Sequence, residues 1–194
     1  FTLLVASLAG LLDDFFVVRG KGSYAGGGMS LHARVGIVLI LGALGAWWFF
    51  TKLEVSSVVV PFAGEIEIGA LFIPFFMLTM LAVFSGGVID GIDGLAGGVM
   101  VSAFLAYAGI AFFQEQVDIA AFSAAIAGGT LAFLWFNIPP ARFYMSETGM
   151  LGLTTTLTVI AFLTNEVLVL PLIAFPLFAA SASATSRFPA MNNS

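Results

Sequence analysis

The chain has 194 residues, of which 60% are hydrophobic and only 9% charged, and its formal net charge is −5. So apolar a composition excludes a water-soluble globular domain and points to an all-α, polytopic membrane protein. With no cysteine, one histidine and six scattered basic residues, it excludes a disulfide framework, a thiolate or histidine-cluster metal site, and a basic surface for nucleic acid.

A bilayer core about 30 Å thick needs roughly 20 apolar residues per helix. Seven candidate spans come near this requirement: about 1–18, 35–51, 70–88, 95–113, 119–136, 149–164 and 167–184. They are expected to form a single integral-membrane domain over residues 1–194. The first residue is Phe1 and no basic segment precedes the first apolar run, so the chain is expected to be an internal piece of a longer protein.

The first span ends at Asp13-Asp14 and leads into a glycine-rich polar stretch from Arg19 to Arg34. No strand precedes these glycines, so they read as a connector rather than a phosphate-cradling loop, and His32 reads as a loop residue. The second span ends near Trp47 and Trp48, where an aromatic belt belongs. Residues 52–69 alternate weakly around a Pro-Phe-Ala-Gly turn, which predicts a short extramembrane β-hairpin. The fifth span ends in FLWFNIPPARFYMSETG, residues 133–149, where Pro139 and Pro140 stop the helix.

Seven alternating spans sort the loops onto two sides. One side carries Arg19, Lys21, Arg34, Arg142 and Arg187, and the other carries only Lys52. Lys and Arg favour the cytoplasmic side, so the first side is expected to face the cytoplasm. Asp13, Asp14, Asp90, Asp93 and Glu147 all fall on that side, at or near helix ends.

Between the third and fourth spans lies Ile89–Gly98, IDGIDGLAGG. Asp90 and Asp93, three residues apart, share a face if the segment is helical. Carboxylates near bilayer depth cost roughly 2.5–3.5 kcal/mol by insertion scales, so they tend to mark a site. Two together repel unless a cation or a shared proton relieves them. Oxygen-only donors suit Mg²⁺, which often bridges to substrate phosphates. Asn137, Arg142 and the backbone at Gly149 are further polar partners for an anion. The alternative is a polar loop whose solvated carboxylates lie at the interface because topology puts them there.

LAGLLDDFFVVRGKG, VIDGIDGLAGG and FLWFNIPPARFYMSETG resemble, in order, the cytoplasmic motifs of the polyprenyl-phosphate N-acetylhexosamine-1-phosphate transferases. The FLWFN phrase with its Met-x-acid-Thr-Gly run is similar to the muramoyl branch, whereas DGIDGLAGG is shared across the superfamily. The resemblance implies a ten-helix fold in a bacterial cytoplasmic membrane, Mg²⁺ as cofactor and a homodimer. It implies transfer of a phospho-N-acetylmuramoyl-pentapeptide from a UDP-linked amino sugar to polyprenyl phosphate, releasing UMP, as a step of peptidoglycan synthesis. By the same resemblance Asp13, Asp14 and Asp90 are the catalytic acids and Asp93 and Asn137 bind substrate. Glu147 and Asp90 are the implied metal ligands.

Several positions depart from the pattern. Glu147 stands where the family has aspartate, Ser146 where it has glycine, and Gly87 where it has asparagine. The family's histidine cluster is expected beyond Ser194, and roughly three family helices are expected outside this chain. The rival readings are an N-acetylglucosamine-1-phosphate transferase of the same superfamily and a non-catalytic membrane protein on this fold.

Overall fold

The computed structural model describes residues 1–19, 29–60, 64–87 and 94–175. Among these residues the α-helices are α1 (Thr2–Val18), α2 (Leu31–Lys52), α3 (Phe72–Gly87), α4 (Leu95–Phe113), α5 (Val117–Asn137), α6 (Glu147–Leu163) and α7 (Leu170–Ile173). Single 3-10 turns at Gly69–Leu71 and Val167–Val169 precede α3 and α7. The fold is therefore that of an all-α membrane protein with one small β-hairpin. By length and composition α2, α4 and α5 are long and apolar enough to cross a bilayer, and Gly69–Ser85 and Glu147–Leu163 are shorter apolar helices. The expected seventh span, 167–184, runs past α7 into residues 176–184, which lie outside the described residues.

The hairpin pairs β1 (Ser57–Val60) with β2 (Gly64–Glu67), antiparallel, with Val58 opposite Ile66 and Val59 opposite Glu65. The Ser56 carbonyl accepts from the Ile68 and Gly69 N–H groups at 2.9 Å, so the strand ends are tied where the chain re-enters helix. Gly64 (φ +87°) and Gly69 (φ +55°) hold left-handed conformations that a Cβ would strain.

Helix boundaries follow local chemistry. Ser30 caps α2, its Oγ accepting weakly from the Ala33 N–H at 3.4 Å. That cap starts the helix before the expected residue 35, and it places His32 and Arg34 in the first turn of α2 rather than in a loop. At the other boundary, Ile138 (φ −67°, ψ 143°) is extended, as a residue before proline is driven to be, and α5 stops at Asn137.

The chain forms two compact units, Phe1–Ser85 with Ser146–Leu168, and Gly86–Met145 with Val169–Ser194. In the first, α1 packs along α6. An aromatic cluster joins α2, α3 and α6: Phe76 lies 4.4 Å from Phe162, Phe49 5.3 Å from Phe76, and Phe72 5.4 Å from Phe162, centroid to centroid. Each such pair is worth about 0.5–1.5 kcal/mol beyond its burial. In the second unit, α4 and α5 pack as a helical hairpin joined by the short Gln114–Gln116 connection. The buried seam of α5 runs Ala120, Ser123, Ala127 and Thr130. That three-and-four spacing of small residues lets helices approach closely where lipid removes most of the hydrophobic drive.

The outward residues are apolar. On α1 alone, Leu4, Leu8, Leu11 and Leu12 are all more than half exposed, while Asp13 is buried. Such an arrangement suits a hydrocarbon surround and not water.

Candidate functional site at the start of α6

The first unit brings the end of α1, the start of α2 and the start of α6 to one place. Its basis is a close contact between backbones. A Cβ at Gly10 of α1 would lie 2.5 Å from the Glu147 carbonyl oxygen and 2.6 Å from Thr148 Cα. Farther along, a Cβ at Gly152 of α6 would lie 2.2 Å from Ser7 Oγ. Glycine at both positions lets the two helices touch, and the register of that contact sets Asp13 and Asp14 beside the first turn of α6.

Asp14 Oδ2 accepts from the Thr148 backbone N–H at 3.1 Å and also from Thr148 Oγ1. The first N–H groups of a helix have no partner within it. Ser146, the N-cap residue of α6, makes no side-chain capping bond. Asp14 supplies the missing acceptor from another helix, and its charge is favourable at the positive end of the α6 dipole.

Asp13 is 1% exposed. Its Oδ1 accepts from the Met29 backbone N–H, and its Oδ2 lies 2.8 Å from Arg34 Nε. That second contact is off the hydrogen-bonding line, so it is an ion pair and not an aligned hydrogen bond. Arg34 Nη1 donates to Glu147 Oε1, 113 residues away in the chain. One guanidinium thus joins two carboxylates from α1 and α6. Arg34 and Glu147 keep about a quarter of their side-chain surface exposed. The cluster is open at that edge and closed around Asp13.

As arranged, these donors do not fit a magnesium site by themselves. Asp14 is bound to Thr148, and Asp13 and Glu147 share Arg34. Among the described residues no group of three or more acidic or histidine side chains is placed to hold a metal ion. Asp90 and Asp93 lie outside the described residues.

Asn137 belongs to the second unit and is 4% exposed. Its Oδ1 accepts from the Gly94 N–H at 3.0 Å, and its Nδ2 donates to the Phe143 carbonyl at 2.7 Å. Gly94, at φ +78°, is the N-cap of α4 and the first described residue after the Asp90–Asp93 stretch. Asn137 therefore fixes the start of α4 and the loop after α5 at once. Arg142 is exposed in that loop and lines, with Trp135, Phe136, Ile138, Pro139 and Pro140, an open cavity of about 380 Å³.

Residues 1–165 match the family model described as glycosyl transferase family 4. The chain belongs to this family. Among individual relatives, phospho-N-acetylmuramoyl-pentapeptide-transferase of Listeria innocua is 38% identical over 168 residues, covering 85% of this chain and 51% of that protein. Proteins of the same name from Caldanaerobacter subterraneus and Clostridioides difficile are each 34% identical, over 169 and 179 residues. They are covered to 52% and 54% of their lengths, and this chain to 86% and 90%. The chain thus spans about half the length of the curated relatives it matches. Their shared name agrees with the muramoyl branch that the FLWFN phrase resembles.

In this glycosyl transferase family 4 chain, Asp13, Asp14 and Glu147 are expected from the sequence, whereas the parts played by Arg34 and Thr148 emerge only in the structure. In the sequence Arg34 is one of five basic residues on one side. The signal for it is that a cation in the first turn of a helix opposes the helix dipole, which an acidic partner offsets.

Proposed function

We propose that the full-length protein transfers a phospho-N-acetylmuramoyl-pentapeptide from its uridine nucleotide to polyprenyl phosphate and releases UMP. The observation that carries this reading is the meeting of Asp14 of α1 with the first turn of α6 and of Asp13 with Arg34 of α2, in a chain whose family match covers all three elements. Both substrates are anionic at the reacting centre, and phosphoryl transfer is chiefly a matter of positioning and of stabilising charge. The exposed edge of the cluster, at Arg34 and Glu147, is where a phosphate group would approach.

In this proposal Asp13, Asp14 and Asp90 are the catalytic acids, Asp93 and Asn137 contact the nucleotide sugar, and Glu147 and Asp90 are the ligands of Mg²⁺. The oxygen-only chemistry of the acids supports Mg²⁺ as the cation. Asp14, bound through one oxygen to Thr148, would act by orienting rather than by taking a proton. Lipid phosphate is already largely ionised at neutral pH, so no general base is required. The five-to-one division of basic residues supports a site facing the cytoplasm of a bacterial inner membrane. A homodimer is proposed on the resemblance alone.

A second reading has its own support. Every described acid of the cluster already has a partner within the protein, which is how a structural ion-pair network is built. A non-catalytic membrane protein on this fold would look the same at these residues. The deciding experiment is exchange of labelled UMP into UDP-linked muramoyl-pentapeptide and, separately, into UDP-linked N-acetylglucosamine, by the full-length protein with polyprenyl phosphate. Exchange with the first alone supports the proposal. Exchange with the second alone moves the chain to the other branch, and exchange with neither supports the non-catalytic reading.

A further inference from the structure

One acid that the proposed function assigns to a metal ion, Glu147, already holds a cation, and that cation is part of the chain. We infer that Arg34 is a positioning residue: its guanidinium fixes Glu147 beside Asp13 and opposes the binding of a divalent cation at Glu147. The inference rests on Glu147 being a metal ligand, as proposed above.

The geometry carries it in three steps. First, Arg34 makes distinct contacts through separate nitrogens, Nε 2.8 Å from Asp13 Oδ2 and Nη1 donating to Glu147 Oε1. A planar fork can do this with one rotamer, whereas a lysine ammonium is a single point charge on a flexible stem. Second, Asp13 is nearly fully buried and keeps its backbone bond from Met29, so the Asp13 end is the fixed one. Glu147 is about a quarter exposed and carries a longer side chain, so it is the end able to change partners. Third, the metal would meet a guanidinium at hydrogen-bonding distance from its own ligand. Like charges that close repel strongly wherever water is partly excluded. A divalent ion at Glu147 therefore competes with Arg34 for that carboxylate, while Asp13 keeps the guanidinium nearby.

The glutamate makes this exchange possible. Aspartate at position 147, one methylene shorter, sits farther from Arg34 and leaves the guanidinium to Asp13. The departure from the family pattern at 147 and the contact with Arg34 are on this view one feature.

The test uses the purified full-length protein in detergent, with Mn²⁺ alone as probe and free Mn²⁺ followed by its paramagnetic resonance. Turnover plays no part, so failure of the functional reading and failure of this inference are separable. In Arg34→Met, Mn²⁺ affinity should rise on the order of tenfold. In Arg34→Lys, which pairs with one carboxylate at a time, it should rise by a smaller factor, about threefold. The gain should disappear in the double variant Arg34→Met with Glu147→Gln. A merely structural arginine predicts the opposite, since losing it loosens the acids and weakens Mn²⁺. Equal or weaker Mn²⁺ binding in Arg34→Met overturns the inference, as does a gain that survives Glu147→Gln. If Arg34→Met does not fold, Arg34→Lys decides, and no gain there overturns it equally.

Discussion

Asp14, on α1, caps α6 across a separation of 134 residues, through the backbone N–H and the hydroxyl of Thr148. A residue singled out for chemistry thus also holds the helix that carries Glu147. Asp14→Ala should destabilise the protein by about 0.5–2 kcal/mol, the usual cost of losing a cap. Thr148→Val keeps the backbone bond and should cost less. Hydrogen exchange at the first turn of α6 reads the effect locally: faster exchange at Thr148 in Asp14→Ala is expected, and unchanged exchange would show that the cap does not matter.

The contact between α1 and α6 depends on Gly10. A methyl there would meet backbone atoms of Glu147 and Thr148, which cannot rotate out of the way as a side chain can. Gly10→Ala should cost about 1–3 kcal/mol, the range for overpacking a close contact. It should also shift the distance from Asp14 to Thr148. Gly36→Ala is the matched control, because nothing lies within 4 Å of its added methyl. The control should be neutral or slightly stabilising, since alanine is the better helix former. Thermal unfolding in detergent of both variants checks the difference.

Asn137 presents one acceptor and one donor to two backbone groups. Asn137→Asp keeps the acceptor for Gly94 N–H and puts an oxygen against the Phe143 carbonyl. It should cost more than losing the one hydrogen bond, because a buried unpaired group carries about 1–3 kcal/mol of desolvation. Unfolding of Asn137→Asp against Asn137→Ala measures this. If aspartate is tolerated as well as asparagine, the bond to Phe143 is not structural.

Topology has a direct check, because residues 1–194 contain no cysteine. A membrane-impermeant thiol reagent added from outside intact cells should label Glu65→Cys, in the exposed β2 strand, and should miss His32→Cys at the start of α2. The reverse pattern would invert the assignment of sides.

Much of the fold was legible because apolar run length and proline position are local signals. The end of α5 at Asn137 is set by the two prolines after it, and α4 occupies the expected 95–113. The hairpin was legible from its alternation and turn. The helix starts were less so. α2 and α6 begin ahead of the apolar runs that revealed them, at Leu31 and Glu147, because polar residues can fill a first turn when a cap is available. Of the site, the acids were visible as charges where charge is expensive. Their partners were not, since Arg34 reaches Asp13 from a separate helix, and Asp14 meets Thr148 because Gly10 lets α1 come close to α6. That approach is a property of packing between distant segments and leaves only glycines in the sequence.

We propose that the cluster at the start of α6 is the working centre of a phospho-sugar transferase. UMP release by the full-length protein, at saturating polyprenyl phosphate and matched expression, tests it on three versions of residue 147. A misplacement of about 1 Å can cost on the order of 10²-fold in rate, so the longer glutamate should leave the parent slow. Glu147→Asp should raise turnover more than it changes the affinity for the nucleotide sugar, and Glu147→Ala should abolish turnover. Release by Glu147→Ala at the parent's rate would contradict the account, since the residue could then hold neither a metal ion nor any part of the reacting groups.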